Sequence, residues 1–538
     1  MDRSSSQPRR SRRLAALLAV AAAFCLLPAS AGAAVQARSS DSFVDSIGVN
    51  THLYYIDTPY HDEFGLVKQR LKELGIRHIR ENLVPDREDQ YEMLNELAGQ
   101  GVKSTLILGE PDDGQAGLNE LVSVLKNDLQ GSVAAVEGPN EWDLNGPSDW
   151  MSSLATYQAQ LFSTIKSSSL AGLPVVGPSM GNTNSDPTDI SGSLEYGNIH
   201  SYPNAEPPEW NLTRLLGTAT PMSGSKPVMA TETGYHNAMA SDNGHRPASE
   251  AAAAVYLPRL YLEYYRRGIV RTFSYELLDE FSDPSGVDLE DNFGLLRNDF
   301  SPKPSFTALS NLIAILSDQG NSFTPGKLDF TVGGDKDELR QVLLQKSDGS
   351  YYLALWRAES VWSNKTLSPL TAPSGKVELS FGQTITGAEE FAPNSSRQAL
   401  RTLSTDGTSL NVNVGAQVVI VRLATDGTSL GSIKVWVDEP AVEAGDPVYV
   451  EGKVAGTEGK PRKVKIQRWN KKSWKTVAKA KTKANGRFKK QLRLLGGIGA
   501  SRIRVIADRA KPSNQVKVRV LAADGGPKIA LGNARKSA

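Results

Sequence analysis

The chain has a single cysteine in 538 residues, and that cysteine, Cys25, falls in its first thirty positions. It lies in the apolar run "LAALLAVAAAFCLL", which follows Arg9, Arg10, Arg12 and Arg13 and precedes the small-residue stretch "ASAGAA". A basic n-region, a short apolar h-region and a small-residue cleavage site make a secretory signal peptide, predicted to end at Ala33. The run is short for a membrane span; a retained signal-anchor is the alternative. Phe24 stands where lipid attachment to Cys25 would need a small residue. Removal of residues 1–33 leaves a mature chain without cysteine, which excludes disulfides and a thiol nucleophile. The expectation is a secreted bacterial protein, extracellular or held at the cell wall, with no membrane segment in its mature form.

Other absences narrow the chemistry. No glycine-rich dinucleotide or phosphate fingerprint follows the first predicted strand. No Gly-x-Ser-x-Gly elbow is present, which disfavours esterase chemistry. No His/Asp cluster has transition-metal spacing, so no metal and no cofactor is expected. An acidic run after the eighth strand (Asp279, Glu280, Asp283, Asp288, Glu290, Asp291) has a calcium loop and a solvated loop as its two readings. An excess of either sign is nearly absent overall, with 60 Lys/Arg against 59 Asp/Glu and a net +1, but the charge is unevenly spread. Residues 460–519 hold 21 Lys/Arg and one acid, leaving about −25 on residues 34–459. An acidic body is joined to a basic module, which bears on partners rather than on fold.

The content is that of a globular protein, with 39% hydrophobic and 22% charged residues, and the length implies two or three domains. From about residue 40 to 320, short apolar strands alternate with helical patterns. The strands are "SIGVNTHLYY", "IRHIREN", "VKSTLILGE", "VAAVEGPNE", "LPVVGPSM", "YGNIHSYPN", "KPVMATETGYHN" and "VRTFSYELLDE". Eight such strands predict a parallel (β/α)8 barrel, with a doubly wound open sheet as the competing topology. Pro258, inside the helical "AAAAVYLPRLYLEYYRRG", is expected to kink that helix or shift its start. Beyond it the hydrophobic period becomes two. Residues 321–424 read as a small antiparallel β-sandwich, with a hairpin turning at Asp348-Gly349. Seven short strands in 431–521 predict an immunoglobulin-like sandwich. Residues 522–538 read as a disordered tail.

In a parallel barrel the residues just past the strand C-termini converge on one face. Those positions hold Asn50 and His52, Arg80, Asn140 and Glu141, His200 and Tyr202, Glu232, and Tyr275 or Glu276. Glu141 and Glu232, 91 residues apart on strands four and seven, face each other across the rim. Two facing carboxylates are what glycoside hydrolysis needs, one protonated and one ionised, with their environments separating the two states. Each signal has a plainer reading. Asn-Glu after a strand is often a turn and helix cap, Arg80 could pair with an acid under the rim, and His236 and His245 read as part of a solvated lid.

"GPNEWD" and "ATETGY" resemble the strand-four and strand-seven motifs of clan A glycoside hydrolases, the retaining barrel superfamily. "HSY" on strand six, Arg80 after strand two and "FGLLRNDFSPKPSFTAL" at 293–309 are similar to its other recurrent segments. The layout of barrel plus small sandwich is similar to glycoside hydrolase family 39 and its neighbours. The resemblance covers roughly residues 44–425. It implies that Glu141 is the general acid/base and Glu232 the nucleophile of a double displacement on a polysaccharide or oligosaccharide. It implies that Asn140 binds the hydroxyl beside the anomeric carbon, that Arg80 and Tyr202 hydrogen-bond Glu232, and that His200 lines the site. His52 is a further rim residue. The clan carries a Trp platform on strand eight; here Tyr275 is the nearest candidate, with Trp142 a second rim aromatic. A barrel that binds carbohydrate or cell wall without catalysis is the alternative function. In the basic module, cations interleave with Trp469, Trp474 and Phe488. This predicts attachment to an anionic cell-wall polymer, with a solvated sheet face as the plainer reading; no nucleic-acid module is matched.

Overall fold

The computed structural model describes residues 34–129, 131–242, 244–319, 322–425, 433–454, 461–470, 472–483, 485–494, 499–507 and 513–521. The predicted signal peptide, the predicted disordered tail and the segment joining the last two modules lie outside the described residues.

Eight parallel strands form one sheet: β1 Ile47–Asn50, β2 His78–Asn82, β3 Lys103–Ile107, β4 Val133–Glu137, β5 Val175–Val176, β6 Gly197–His200, β7 Val228–Thr233 and β8 Thr272–Ser274. Their order is β5-β4-β3-β2-β1-β8-β7-β6, and a parallel bridge between Val176 and Tyr196 joins β5 to β6, closing the barrel. The strands are buried nearly end to end, as expected for a sheet walled on its outer face by helices. Those helices are α1 Phe64–Leu74, α2 Glu88–Gly99, α3 Gly114–Asn127, α4 Trp150–Lys166, α5 Leu212–Ser223, α6 Glu250–Arg266 and α7 Pro304–Leu316. One step differs: β5 leads to β6 through a loop with one 3-10 turn, Ser191–Ser193, in place of a helix. No described helix is long and apolar enough to cross a membrane.

Pro258 does not interrupt α6, which starts at Glu250 behind the Ser249 cap. Proline removes the N–H that would bond the carbonyl of Ala254. That carbonyl instead accepts a 2.6 Å hydrogen bond from Asn394 Nδ2, supplied by the following domain. The start is not shifted to Pro258, and the carbonyl that the proline leaves free is satisfied from outside the helix.

That domain is a sandwich of a three-stranded and a six-stranded sheet. Its longer strands are β9 Phe330–Gly334, β10 Leu339–Gln345, β11 Tyr351–Arg357, β12 Gly375–Phe381, β13 Ile385–Phe391, β14 Ser409–Val414 and β15 Val419–Thr425, and the two-residue strands Arg38–Ser39 and Arg401–Thr402 complete the larger sheet. The hairpin β10–β11 turns at Asp348-Gly349, where Gly349 has φ 88°. Arg38–Ser39, ahead of the barrel, pairs parallel with Leu344 and Gln345, and Val35–Gln36 pairs with Lys327–Leu328. The chain therefore enters the sandwich before it builds the barrel, a return that alternation alone does not reveal. Fully buried Arg259 on α6 seals the junction, bonding Glu209 and the carbonyl of Glu359, while Trp356 donates to the same Glu209.

The C-terminal module is two sheets. One holds Ile433–Val437, Pro447–Val454 and Arg487–Arg493; the other holds Ala441–Glu443, Lys463–Trp469, Trp474–Lys481, Gly499–Ala507 and Val516–Leu521. Val448, Val450, Ile466, Val505 and Val518 are buried between them while Lys463, Lys465, Lys479 and Lys489 are exposed, the alternation that period two dictates. Phe488 faces this core. Trp469 and Trp474 do not: they lie half-buried at 5.5 Å from each other, with Arg502 and Arg504 over their rings.

Candidate active site

The C-terminal ends of the barrel strands surround a cleft of about 1090 Å³, at the upper end of small-molecule sites. At its floor Arg80, from β2, is 3% exposed. Its guanidinium makes two bonds to Glu137 of β4, at 3.0 and 2.8 Å, and one each to Glu232 (2.7 Å), Asn140 (2.7 Å) and Asn50 (3.2 Å). Both proposed roles of Arg80 thus coexist, since it pairs with an acid under the rim and also with Glu232. Burial disfavours its charge, but the Glu137 and Glu232 carboxylates outweigh this and raise its pKa. Glu137 is fully buried and also accepts from Asn198 and Thr231, each at 3.0 Å.

Glu232 ends β7. Its Oε1 accepts from Arg80 and its Oε2 from the Tyr202 hydroxyl, each at 2.7 Å, so both oxygens are held in place. Gly234 lets β7 and β8 approach here: a Cβ on it would lie 2.4 Å from the carbonyl oxygen of Tyr275. Across the cleft, β4 ends in "EGPNE". Glu141 takes a left-handed backbone conformation, φ 47°, uncommon outside glycine and typical of residues held at functional sites. Ser179, just after β5, fixes this turn: its Oγ accepts the Glu141 N–H at 3.1 Å and donates to Asn140 Oδ1 at 3.2 Å. With Oδ1 engaged by Ser179 and Arg80, the Asn140 amide nitrogen is left as the donor.

His200 bridges the two carboxylates. Its Nδ1 is 2.5 Å from Glu141 Oε1 and 3.4 Å from Glu232 Oε2, while Nε2 faces Thr231 Oγ1 at 3.1 Å. Burial pushes the His200 pKa down, but Glu232 and the Glu141 bond more than compensate and it is raised. Burial pushes Glu141 up, but its bond to His200 and the His200 charge bring it below the usual carboxylate value. The two are one proton-holding pair, titrating as a unit. Donor atoms of Glu141, His200 and Glu232 all lie within 4.8 Å of one another.

The remaining rim residues divide. His52 lines the wall by β1, stacked on Tyr55 at 4.7 Å, and burial lowers its pKa to about 4. Tyr275 lines the cleft and bonds Glu290 at 3.1 Å. Trp142 is 4% exposed and does not border the cleft; its indole packs on Gly146 and donates to Ser153 at 3.1 Å. This corrects its reading as a rim aromatic: the short helix Trp142–Asn145 turns it beneath the loop. Trp210, 46% exposed on the cleft, offers the indole face instead. His236 is also corrected: it is buried, with its Nε2 on the carbonyl of His245, and His245 packs edge-on against Tyr202. The acidic run disperses. Asp279 is buried on Lys303, Asp283 caps the amides of its own loop, Glu290 meets Tyr275 and Glu280 turns toward His52.

Sequence reasoning overlooked Glu137, Glu81 and Trp210. Glu81 is buried beside the cleft, accepting from Thr51 and from the Leu53 N–H, and burial pushes its carboxyl up to about 8. The signal for Glu137 is an acid closing an apolar strand.

No family model and no curated protein matches the chain. Among solved structures it is similar to a glucosidase from Croceicoccus marinus, at 11% identity over 91% of this chain and 98% of that one, with a TM-score of 0.46. It is similar to a family GH30 endoxylanase from Clostridium papyrosolvens C71, at 10% identity over 74% and 98%, TM-score 0.42. A family 17 β-1,3-glucanosyltransferase from Rhizomucor miehei is similar at 19% identity over 49% and 97%, TM-score 0.38.

Proposed function

We propose that the chain is a secreted retaining glycoside hydrolase, with Glu141 as acid/base and Glu232 as nucleophile. The observation that carries this reading is the pair itself, two carboxylates from β4 and β7 whose donor atoms lie within 4.8 Å of each other and of His200. Retention calls for carboxyls about 5–5.5 Å apart, whereas inversion needs roughly 6.5–9.5 Å to admit a water. Arg80 and Tyr202 hold the Glu232 carboxylate aimed into the cleft. Asn140 presents its amide to the neighbouring hydroxyl, and Tyr275 and Trp210 supply ring faces.

The His200 bridge suggests how one residue serves both half-reactions. Before attack, the negative charge of Glu232 helps keep a proton on the His200–Glu141 pair. That proton passes from Glu141 to the leaving oxygen as Glu232 bonds the anomeric carbon. Esterification of Glu232 removes its charge, the pair holds a proton less tightly, and Glu141 is free to deprotonate the water that releases the sugar. The basic C-terminal module, read as an immunoglobulin-like fold, would hold the enzyme to anionic cell-wall polymer through its exposed lysine face.

A panel of polysaccharides and aryl glycosides tests the assignment, with product anomers followed by NMR. The expected result is retention on at least one substrate and its loss in Glu232→Ala. Activity surviving in Glu232→Ala, or an inverted product, refutes it.

A further inference from the structure

We propose that His52, Glu276 and Glu280 form a zinc-type divalent metal site in the cleft wall between β1 and β8. His52 follows β1, and Glu276 and Glu280 follow β8, so the barrel topology brings together residues far apart in sequence. Both ring nitrogens of His52 are buried without a hydrogen-bond partner. A neutral imidazole carries one donor and one acceptor, and leaving both buried and unmatched is costly. The ring is held in place all the same, by parallel stacking on Tyr55.

The distances identify the absent partner. His52 Nε2 lies 3.6 Å from Glu276 Oε2 and 3.7 Å from Glu280 Oε1, and the three donor atoms fall within 4.8 Å of one another. These separations are too long for hydrogen bonds. They match two ligands on one tetrahedral ion, roughly 3.3–3.5 Å apart for metal–ligand bonds of about 2.0–2.2 Å. Glu276 is 0% exposed, its Oε1 has no partner, and no Lys or Arg pairs with Glu276 or Glu280 among the described residues. Its Oε2 is oriented by the Tyr60 hydroxyl at 2.7 Å, which in turn accepts the Leu278 N–H at 2.9 Å, the outer support typical of ligating carboxylates.

One imidazole with two carboxylates selects the zinc class over magnesium and calcium, which prefer oxygen alone. Three protein ligands leave a position open, and His52 and Tyr275 place it at the cleft surface for water or a sugar hydroxyl. The Glu141–His200–Glu232 group lacks this character, because its donors are already bonded to one another, to Tyr202 and to cationic Arg80. The proposal stands apart from the glycosidase reading.

The test titrates chelator-treated full-length protein with Co²⁺ and follows its visible d–d absorption. Wild type and Glu232→Gln should each take up one equivalent with the intense band of a four-coordinate ion, displaced by Zn²⁺. His52→Ala and Glu280→Gln should lose the band and at least tenfold in affinity, with unchanged circular dichroism. Glu280→Gln alone carries the test if His52→Ala does not fold. Absence of a stoichiometric ion in wild type overturns the proposal, as does a band that survives Glu280→Gln or disappears in Glu232→Gln.

Discussion

Arg80 is the residue on which the floor of the cleft depends, and its removal separates structural from catalytic roles. Arg80→Met leaves Glu137, fully buried, and Glu232, 9% exposed, without their shared cation. Breaking a buried ion pair from one side typically costs 3–5 kcal/mol, because the remaining charge is unpaired in a poorly solvating interior. At about 2 °C per kcal/mol for a domain of this size, the barrel transition should fall by roughly 6–10 °C. Arg80→Met/Glu137→Leu removes the deeper orphan as well. It should recover about half of the loss, the rest reflecting Asn198 and Thr231, which no longer have the Glu137 acceptor. Turnover should not recover, because Glu232 still lacks its Arg80 donor and keeps only the Tyr202 hydroxyl. Calorimetry of the two variants beside their kcat/KM provides the readout. A single variant less than 1 kcal/mol weaker than wild type, or a double variant no more stable than the single, would refute the reasoning.

Three further outcomes follow from the same geometry. Tyr202→Phe deletes one charge-assisted bond to Glu232, worth about 1.5–3 kcal/mol, so kcat should fall about 10- to 100-fold; an unchanged kcat contradicts the positioning role. In His200→Asn the acid/base proton rests on Glu141 alone instead of on a pair that includes a raised histidine, so the basic limb of kcat/KM against pH should move to lower pH. Burial raises Glu81 from an unfolded value near 4.5 to about 8, so its contribution to stability is fully present below pH 4.5 and is lost as pH rises toward 8. Glu81→Gln should flatten the decline of Tm over that window, and an unaltered slope would show that the fold does not raise the Glu81 pKa.

The eight strands were legible because each is a short apolar run closed by turn residues, and the rim followed from the rule that strand C-termini converge. Arg80, Asn140, Glu141, His200, Tyr202 and Glu232 meet in the structure because the barrel brings β2, β4, β6 and β7 to one end. What escaped the sequence depends on contacts that no local pattern encodes. Trp142 directly follows Glu141, yet the left-handed turn at Glu141 sends its indole under the loop. Glu137 looks like the last residue of an apolar strand until the barrel brings its side chain onto the Arg80 guanidinium. Pro258 reads as a helix breaker because its remedy, Asn394, belongs to another domain. His52, Glu276 and Glu280 have no metal-binding spacing, since barrel closure of β8 on β1 is what makes them neighbours.

The central claim is that Glu232 attacks the anomeric carbon. Incubation of the protein with activated 2-fluoro glycosides, followed by peptide mapping, tests it most directly. The account predicts a covalent sugar on the peptide containing "ATETGY", attached at Glu232 and accumulating as turnover stops. A label on any other residue, or steady turnover of the fluoro sugar by Glu232→Ala, would contradict it.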